Sequence, residues 1–295
     1  MKIVLSLLRL LSRLPLRVLY VLSDLCYPVV RYLLRYRLAV VRTNLRNAFP
    51  ELSEKERARI EKGFYRWFCD YVVETLKMMS MSPDQMRRRM QMVGVEEMEA
   101  ALDSHQLVVV YLGHYCNWEW ISSLPLWCKK PDTHCGQLYR PLRNHAFDQL
   151  FYKMRCRFGA ENISKYDALR HIIHLRNEGT KSIIGFISDQ APGTSSIHDW
   201  VTFLHQDTPV VSGPERIARK LNAAVYFADV ERLSRGHYRC TLRLMTDDAR
   251  PLPAYALTEQ YMQLLEQMIR RQPHLWLWSH RRWKHHRAAD GTIID

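Results

Sequence analysis

The chain is 295 residues long, with 43 Lys and Arg against 30 Asp and Glu, a formal net charge of +13 and seven cysteines. Such a length buries one large core or two small ones, and the positive balance favours an anionic partner such as nucleic acid, an acidic membrane surface or an acidic carrier protein. No segment resembles a zinc finger or an RNA-recognition motif, the basic residues lie along amphipathic segments, and the odd set of cysteines has no CxxC pair; nucleic acid and a disulfide framework are set aside, and a reducing cytoplasm is expected.

Residues 1–20 are apolar but interrupted by Arg9, Arg13 and Arg17, which recur every four residues and stay near one helical face. A signal peptide carries its charges at the start of an unbroken apolar centre, which this segment lacks. The uncharged run 18–23 is far short of the roughly 20 residues of a spanning helix. An amphipathic helix lying in the membrane interface is therefore expected, with Leu and Val in the acyl region and arginines on lipid phosphates. A tilted span through 14–34 and a soluble helical hairpin are the alternatives. Residues 25–48 continue helical and basic, with Arg31, Arg35, Arg37, Arg42 and Arg46. Ser53 with Glu56 makes a capping box that opens a helix through 79, whose aromatic stripe of Phe64, Trp67, Phe68 and Tyr71 reads as core. Ser82-Pro83-Asp84 opens a further helical piece carrying Arg87, Arg88 and Arg89.

Five apolar residues at 107–111 then read as a buried strand. Gly113 permits the turn that ends it, His114 sits where the strand stops, and Asn117 serves as N-cap of a helix with Glu119 in its first turn. On one continuous helix His114 and Glu119 would lie roughly 140° apart. With His114 on the turn before the helix, Glu119 is expected to fold back to the imidazole, giving a base and the carboxylate that orients it. Cys116 reads as a small packing residue, since a nucleophilic thiol needs a base directed at it.

A strand over 133–139 ends at Arg140, whose planar fork suits a phosphate or carboxylate. Helices follow at 144–158 and 167–177. The second carries His171 and His174, which can ligate a metal, but no third ligand is in view and no metal is expected. The strand 182–188 delivers Asp189-Gln190 to its end, where open α/β sheets bind ligands; the acid orients a catalytic or substrate-binding cation, or caps the turn. A short strand at 200–204, a helix at 213–221 with Glu215 in its first turn beside Arg216, strands at 225–231 and 238–244 and an amphipathic helix at 254–272 complete the pattern. Residues 276–286 alternate aromatics with cations, as side chains at a bilayer interface do. Together these elements predict an α/β fold, a mixed central β-sheet flanked by helices, preceded by an N-terminal amphipathic helical membrane-associating region.

The segment GHYCNWE, 113–119, resembles the HX4E motif of the lipid A biosynthesis acyltransferases, the lauroyl and myristoyl transferases of the wider glycerolipid acyltransferase superfamily. YRLAVVRTNLRNAFPE (36–51), YRPLRN (139–144), GFISDQAPG (185–193), WVTFLHQDTPVVSGPERIARK (200–220) and WLWSHRRWK (276–284) are similar to further family blocks in the same order. Two relatives' traits differ here: many carry glycine at the position of Cys116, and their N-termini are often more continuously hydrophobic. The resemblance implies an N-terminal membrane-associating region, 1–50, and an acyltransferase domain, 51–295. It implies transfer of a fatty acyl chain from acyl-acyl carrier protein to a hydroxyl of a lipid A precursor, at the cytoplasmic face of a Gram-negative inner membrane. His114 would be the general base and Glu119 its partner, with Asn117, Arg140, Asp189, Gln190, Glu215 and Arg282 around the substrates. No cofactor is expected, and no GxxxxGK loop is present to supply ATP energy, so the activated donor brings it. The alternatives are another lipid acceptor, such as an amino-acid or glycosyl lipid, a metallohydrolase, for which HExxH is missing, and a non-catalytic membrane-surface binding protein.

Overall fold

The computed structural model describes residues 2–288 and 290–294. Helix α1 (Lys2–Arg13) stops before Pro15, whose fixed φ and missing N–H suit the start of α2 (Leu16–Pro28). A π turn over Val29–Leu33 and two residues at positive φ, Arg35 (+48°) and Arg37 (+51°), separate α2 from α3 (Leu38–Ala48), so the helix expected over 25–48 is broken in the middle. Among the described residues no helix is long and apolar enough to cross a membrane. The capping box forms at Ser53, whose N–H donates to Glu56 at 2.8 Å, and opens α4 (Glu54–Met78). Ser82 and Gln85 repeat the device for α5 (Pro83–Arg89).

The N-terminal helices are tied to α4 through polar as well as apolar contacts. Lys77 donates to the carbonyls of Ser12 and Leu14 at 3.0 Å each, and the buried carboxylate of Asp70 accepts from Ser23 and Arg235. The outer faces of α1, α2 and the π turn remain apolar and open, with Ile3 76 %, Leu10 62 %, Leu25 64 % and Leu33 75 % exposed beside exposed Arg9, Arg13 and Arg17.

After α5 the chain forms β1 (Met90–Val93), α6 (Val95–Ala101), β2 (Leu107–Leu112), the 3-10 helix Trp118–Leu126, β3 (His134–Tyr139), α7 (His145–Arg155), β4 (Glu161–Ser164), α8 (Ala168–Asn177) and β5 (Ser182–Ile187). A two-stranded ribbon, β6 (Trp200–Phe203) with β7 (Gln206–Pro209), leads to α9 (Gly213–Leu221), the long hairpin β8 (Ala224–Ser234) and β9 (His237–Thr246), α10 (Ala256–Arg271) and a short terminal pair, β10 (His286–Arg287) with β11 (Ile293–Ile294). The main sheet has the order β1-β9-β8-β2-β5-β3-β4; β8, β2, β5, β3 and β4 run parallel, while β9 and β1 run the other way. The fold is the expected mixed α/β sheet with helices on its faces.

Strand β2 lies between β5 and β8 with all six residues buried, as its unbroken apolar run requires. From β2 the chain crosses to β3 on one side, and from β5 it crosses back to β8 on the other, so the carboxyl ends of β2 and β5 flank a switch point where open α/β sheets bind ligands. On one face α10 seals the sheet: the Tyr261 ring stacks on Tyr111 at 4.6 Å and its hydroxyl donates to the Leu112 carbonyl at 2.9 Å. The interfacial reading of 276–286 is corrected here. Trp276, Trp278, Arg282 and His285 are buried, with indole N–H groups satisfied inside the protein, because the alternation serves two protein layers rather than water and lipid.

Candidate active site

The register of the two central strands builds the site. Leu112 pairs with Ile187, so two residues further on His114 meets Asp189 across the strand ends. The His114 Nδ1 lies 2.6 Å from Asp189 Oδ1, and Asp189 Oδ2 accepts both the His114 backbone N–H and the Trp276 indole N–H at 2.8 Å. Gly113 is needed for space more than for its backbone freedom: an added Cβ would stand 2.8 Å from Leu265 and 3.4 Å from the Asp189 carboxylate. The left-handed residue of this turn is Cys116, at φ +51°, a conformation that favours glycine.

Asp189 is fully buried. Desolvation pushes its carboxyl up, but the His114 imidazole and the hydrogen bonds from His114 and Trp276 outweigh burial and hold it at about 2, so it is ionised at neutral pH. A carboxylate there accepts the Nδ1 proton of neutral His114 and leaves Nε2 as a free lone pair. That nitrogen faces Gln190, whose side-chain nitrogen lies 3.2 Å away, and the ring edge rests on Trp118 with centroids 5.1 Å apart. A second imidazole, His280, accepts the Ala191 N–H at 3.2 Å; burial and then the neighbouring positive groups push it down to about 4 against the pull of Asp189, so it stays neutral.

The expected His114–Glu119 contact is replaced. Asn117 caps the 3-10 helix as anticipated, accepting from the Trp120 N–H at 3.3 Å, but the first turn carries Glu119 towards α7. There Arg155 clamps both carboxylate oxygens, Nε to Oε2 at 2.7 Å and Nη2 to Oε1 at 2.6 Å, in the planar fork-to-fork geometry that suits a guanidinium. Both residues line the same cavity as His114. Asn117 itself is buried and donates to Glu74 at 2.9 Å, so it shapes the turn from beneath. Glu74 also accepts from Tyr20 at 2.8 Å and Tyr238 at 2.7 Å, joining α2, the turn after β2 and β9 at one point. Cys116 is wholly buried, and burial pushes its thiol well up, which leaves it inert as a nucleophile.

A cavity of about 1030 Å³ opens beside His114. Along the strands its wall is apolar, with Val110, Leu112, Ile121, Leu124 and Ile183, and Gly185 lies bare beside Leu112 on that face while Gly136 faces the other side of the sheet. A Cβ on Gly136 would meet Ile163 and Ile184 at 2.9 Å, and one on Gly185 would meet Leu112 at 3.3 Å. At the strand ends the wall is cationic: Arg140, Arg155, Lys165, Arg216, Lys220 and Lys284 face a single carboxylate, that of Glu119.

Of the expected substrate contacts, Arg140 and Gln190 line this cavity and Asp189 stands behind His114. Two lie elsewhere. Glu215 is buried and accepts from the N–H groups of Tyr255 and Thr258 and the Thr258 hydroxyl, satisfying the start of α10. Arg282 is wholly buried, donates from Nη2 to the Pro209 carbonyl at 2.7 Å and does not line the cavity; desolvation lowers its guanidinium to about 10 despite Asp189 nearby. Sequence reasoning missed Arg155, Lys165, Lys220, Lys284 and the Trp276 indole. Only the i, i+4 spacing of Arg216 and Lys220 on α9 offered a local sign of a shared face.

The sequence profile of the family described as bacterial lipid A biosynthesis acyltransferase matches residues 1–285. No curated protein matches the chain significantly.

Proposed function

The chain belongs to the bacterial lipid A biosynthesis acyltransferase family and is an O-acyltransferase; on that premise we propose that it moves a fatty acyl chain from acyl-acyl carrier protein to a hydroxyl of a lipid A precursor. The observation that carries this reading is the His114–Asp189 pair at the junction between an apolar cavity wall and a cationic rim. The acyl chain lies along Val110, Leu112 and Ile183, its thioester carbonyl reaches His114, and the acceptor's phosphates meet Arg140, Lys165 and Lys284. The acceptor hydroxyl displaces the Gln190 amide from Nε2, gives its proton to His114 and attacks the thioester carbon. Asp189 stabilises the imidazolium that forms, and collapse of the tetrahedral intermediate expels the carrier thiolate, which takes the proton back from Nε2. The freed Gln190 amide is the donor within reach of the developing oxyanion. Glu119 acts as a positioning residue: it fixes Arg155, whose cation faces the cavity.

The open apolar face of α1 and α2, flanked by Arg9, Arg13 and Arg17, suits an anionic membrane surface, with the enzyme at the cytoplasmic face of the inner membrane. The acidic carrier protein is the natural partner for the rest of the positive surface. Mass spectrometry of total lipids and lipid A from cells with the gene intact, deleted or restored as His114→Ala tests the whole reading. One acyl chain should vanish from lipid A on deletion and return with the intact gene only. Unchanged lipid A overturns that acceptor, and a chain missing from an amino-acid or glycosyl lipid identifies another.

A further inference from the structure

We infer that His134, Glu161 and His171 form a binding site for one divalent late transition metal ion, with zinc the best fit, at the sheet edge away from His114. The three residues come from separate elements: His134 opens β3, Glu161 opens β4, and His171 lies on α8. One ligand atom of each falls within 4.8 Å of the other two. Glu161 Oε2 is 2.8 Å from His134 Nε2 and 3.0 Å from His171 Nε2. His174, the other histidine of α8, turns away to Glu178 at 3.4 Å, so the site is not the i, i+3 pair visible in the sequence.

The orientation of His134 separates a metal cradle from a simple ion pair. His171 aligns with the carboxylate as a hydrogen bond does. The His134 Nε2 is buried at its atom and 2.8 Å from the same oxygen, yet its ring does not point at that oxygen and it has no hydrogen-bond partner. In a metal site ligand lone pairs converge on a shared centre instead of on one another. With bonds of about 2.0–2.2 Å, tetrahedral ligands stand roughly 3.3 Å apart, so each imidazole nitrogen needs to open from the shared Glu161 oxygen by only a few tenths of an ångström. Two imidazoles and one carboxylate suit zinc better than the all-oxygen sets of calcium or magnesium. The side chains are a quarter to a third exposed, which leaves a fourth position for water. Because β3 and β4 run parallel towards Arg140 and the cationic rim, an ion at their other end staples the sheet edge and takes no part in the acyl transfer chemistry.

The test uses the untagged full chain, stripped with chelator and titrated with Zn²⁺. One ion per chain should remain after dialysis, and the thermal midpoint should rise with free Zn²⁺, since only the folded state presents the assembled ligands. Co²⁺ should give ligand-field bands with no thiolate charge-transfer band. His171→Asn and Glu161→Gln, both at part-exposed positions, should each weaken Zn²⁺ binding by at least about tenfold, and His134→Asn with His171→Asn should abolish the stoichiometric ion. Should that double variant fail to fold by circular dichroism, the single variants decide. Absence of stoichiometric Zn²⁺ on the folded chain, unchanged affinity in the single variants, or a thiolate band overturns the assignment.

Discussion

Replacing Asp189 by Asn tests the base's orientation with almost no change in shape. Oδ2 accepts two N–H groups, from the His114 backbone and the Trp276 indole, so an asparagine must place its carbonyl oxygen there and its NH2 where Oδ1 now faces Nδ1. An NH2 donating to Nδ1 forces the imidazole proton onto Nε2, the nitrogen that faces the cavity, and the base is lost. In a Ser-His-Asp triad the same change costs about 10⁴-fold; here a fall of about 10³–10⁴-fold in turnover is expected, or about 4–5.5 kcal/mol of barrier. Steady-state transfer from acyl-acyl carrier protein by purified enzyme measures it, with donor KM moving by no more than a few-fold because Asp189 does not line the cavity. The sign of the stability effect also follows. Against desolvation, the His114 imidazole and the hydrogen bonds from His114 and Trp276 hold Asp189 at about 2, below the ordinary carboxylate value near 3.8, so its contribution is present above pH ~4 and is lost as pH falls towards 2. At neutral pH that contribution is about 2 kcal/mol, and the stability gap between wild type and Asp189→Asn should close over that acid range. A variant retaining a tenth or more of wild-type turnover would refute the role given to Asp189.

Four further outcomes follow from the geometry. Glu119→Gln and Arg155→Gln act through one bidentate contact, so their double-mutant cycle should show coupling of about 0.5–3 kcal/mol in log turnover, and simple additivity would separate them. Cys116→Gly should keep activity within about threefold, the relief of a left-handed backbone offsetting the lost thiol packing; a hundredfold loss would restore the thiol as a nucleophile. Glu74→Ala strands the buried donors of Asn117 and Tyr238 and the half-buried hydroxyl of Tyr20, and should cost about 3–5 kcal/mol in urea unfolding; a cost under 1 kcal/mol contradicts its place at that junction. Gly185→Val fills the apolar wall against Leu112 and should cut transfer of the longest accepted chain by more than about tenfold while sparing shorter ones, since one methylene in a closed pocket is worth about 1–3 kcal/mol. An equal loss at every chain length would place the acyl group elsewhere.

What the sequence made legible was whatever is decided locally. The capping boxes at Ser53 and Ser82 need only residues three apart, and the runs of β2 and β5 are apolar because both faces of those strands are covered. The strands β1, β4 and β7 escaped because four residues such as Glu161–Ser164 carry too little alternation and exist only through their partners. His114 and Glu119 drew attention as close neighbours in sequence. The partner His114 acquires is 75 residues away, set by a strand register that no local spacing encodes. Arg282 and Glu215 misled for a related reason: their motif positions are real, but burial turns one to a carbonyl and the other to a helix start.

The charge excess of +13 takes on a sharper meaning once the paired cations are removed from it. Arg31 and Arg42 share Glu61, Arg232 and Arg235 share Asp70, Arg243 and Arg271 share Asp229, and Arg155 holds Glu119. These arginines are internal cross-links whose charge is largely cancelled where it stands. Among the described residues Arg140, Lys165, Arg216, Lys220 and Lys284 line the cavity with no carboxylate paired to them, and Arg9, Arg13 and Arg17 stand unpaired on the apolar N-terminal face. Cations without a paired carboxylate thus stand at the rim beyond His114 and on the helices that would meet a bilayer, where fixed positive charge would raise the local concentration of an anionic lipid. The His114–Asp189 pair sits just inside that rim, and an imidazolium formed when His114 takes the acceptor's proton would be met by a carboxylate already ionised and in place.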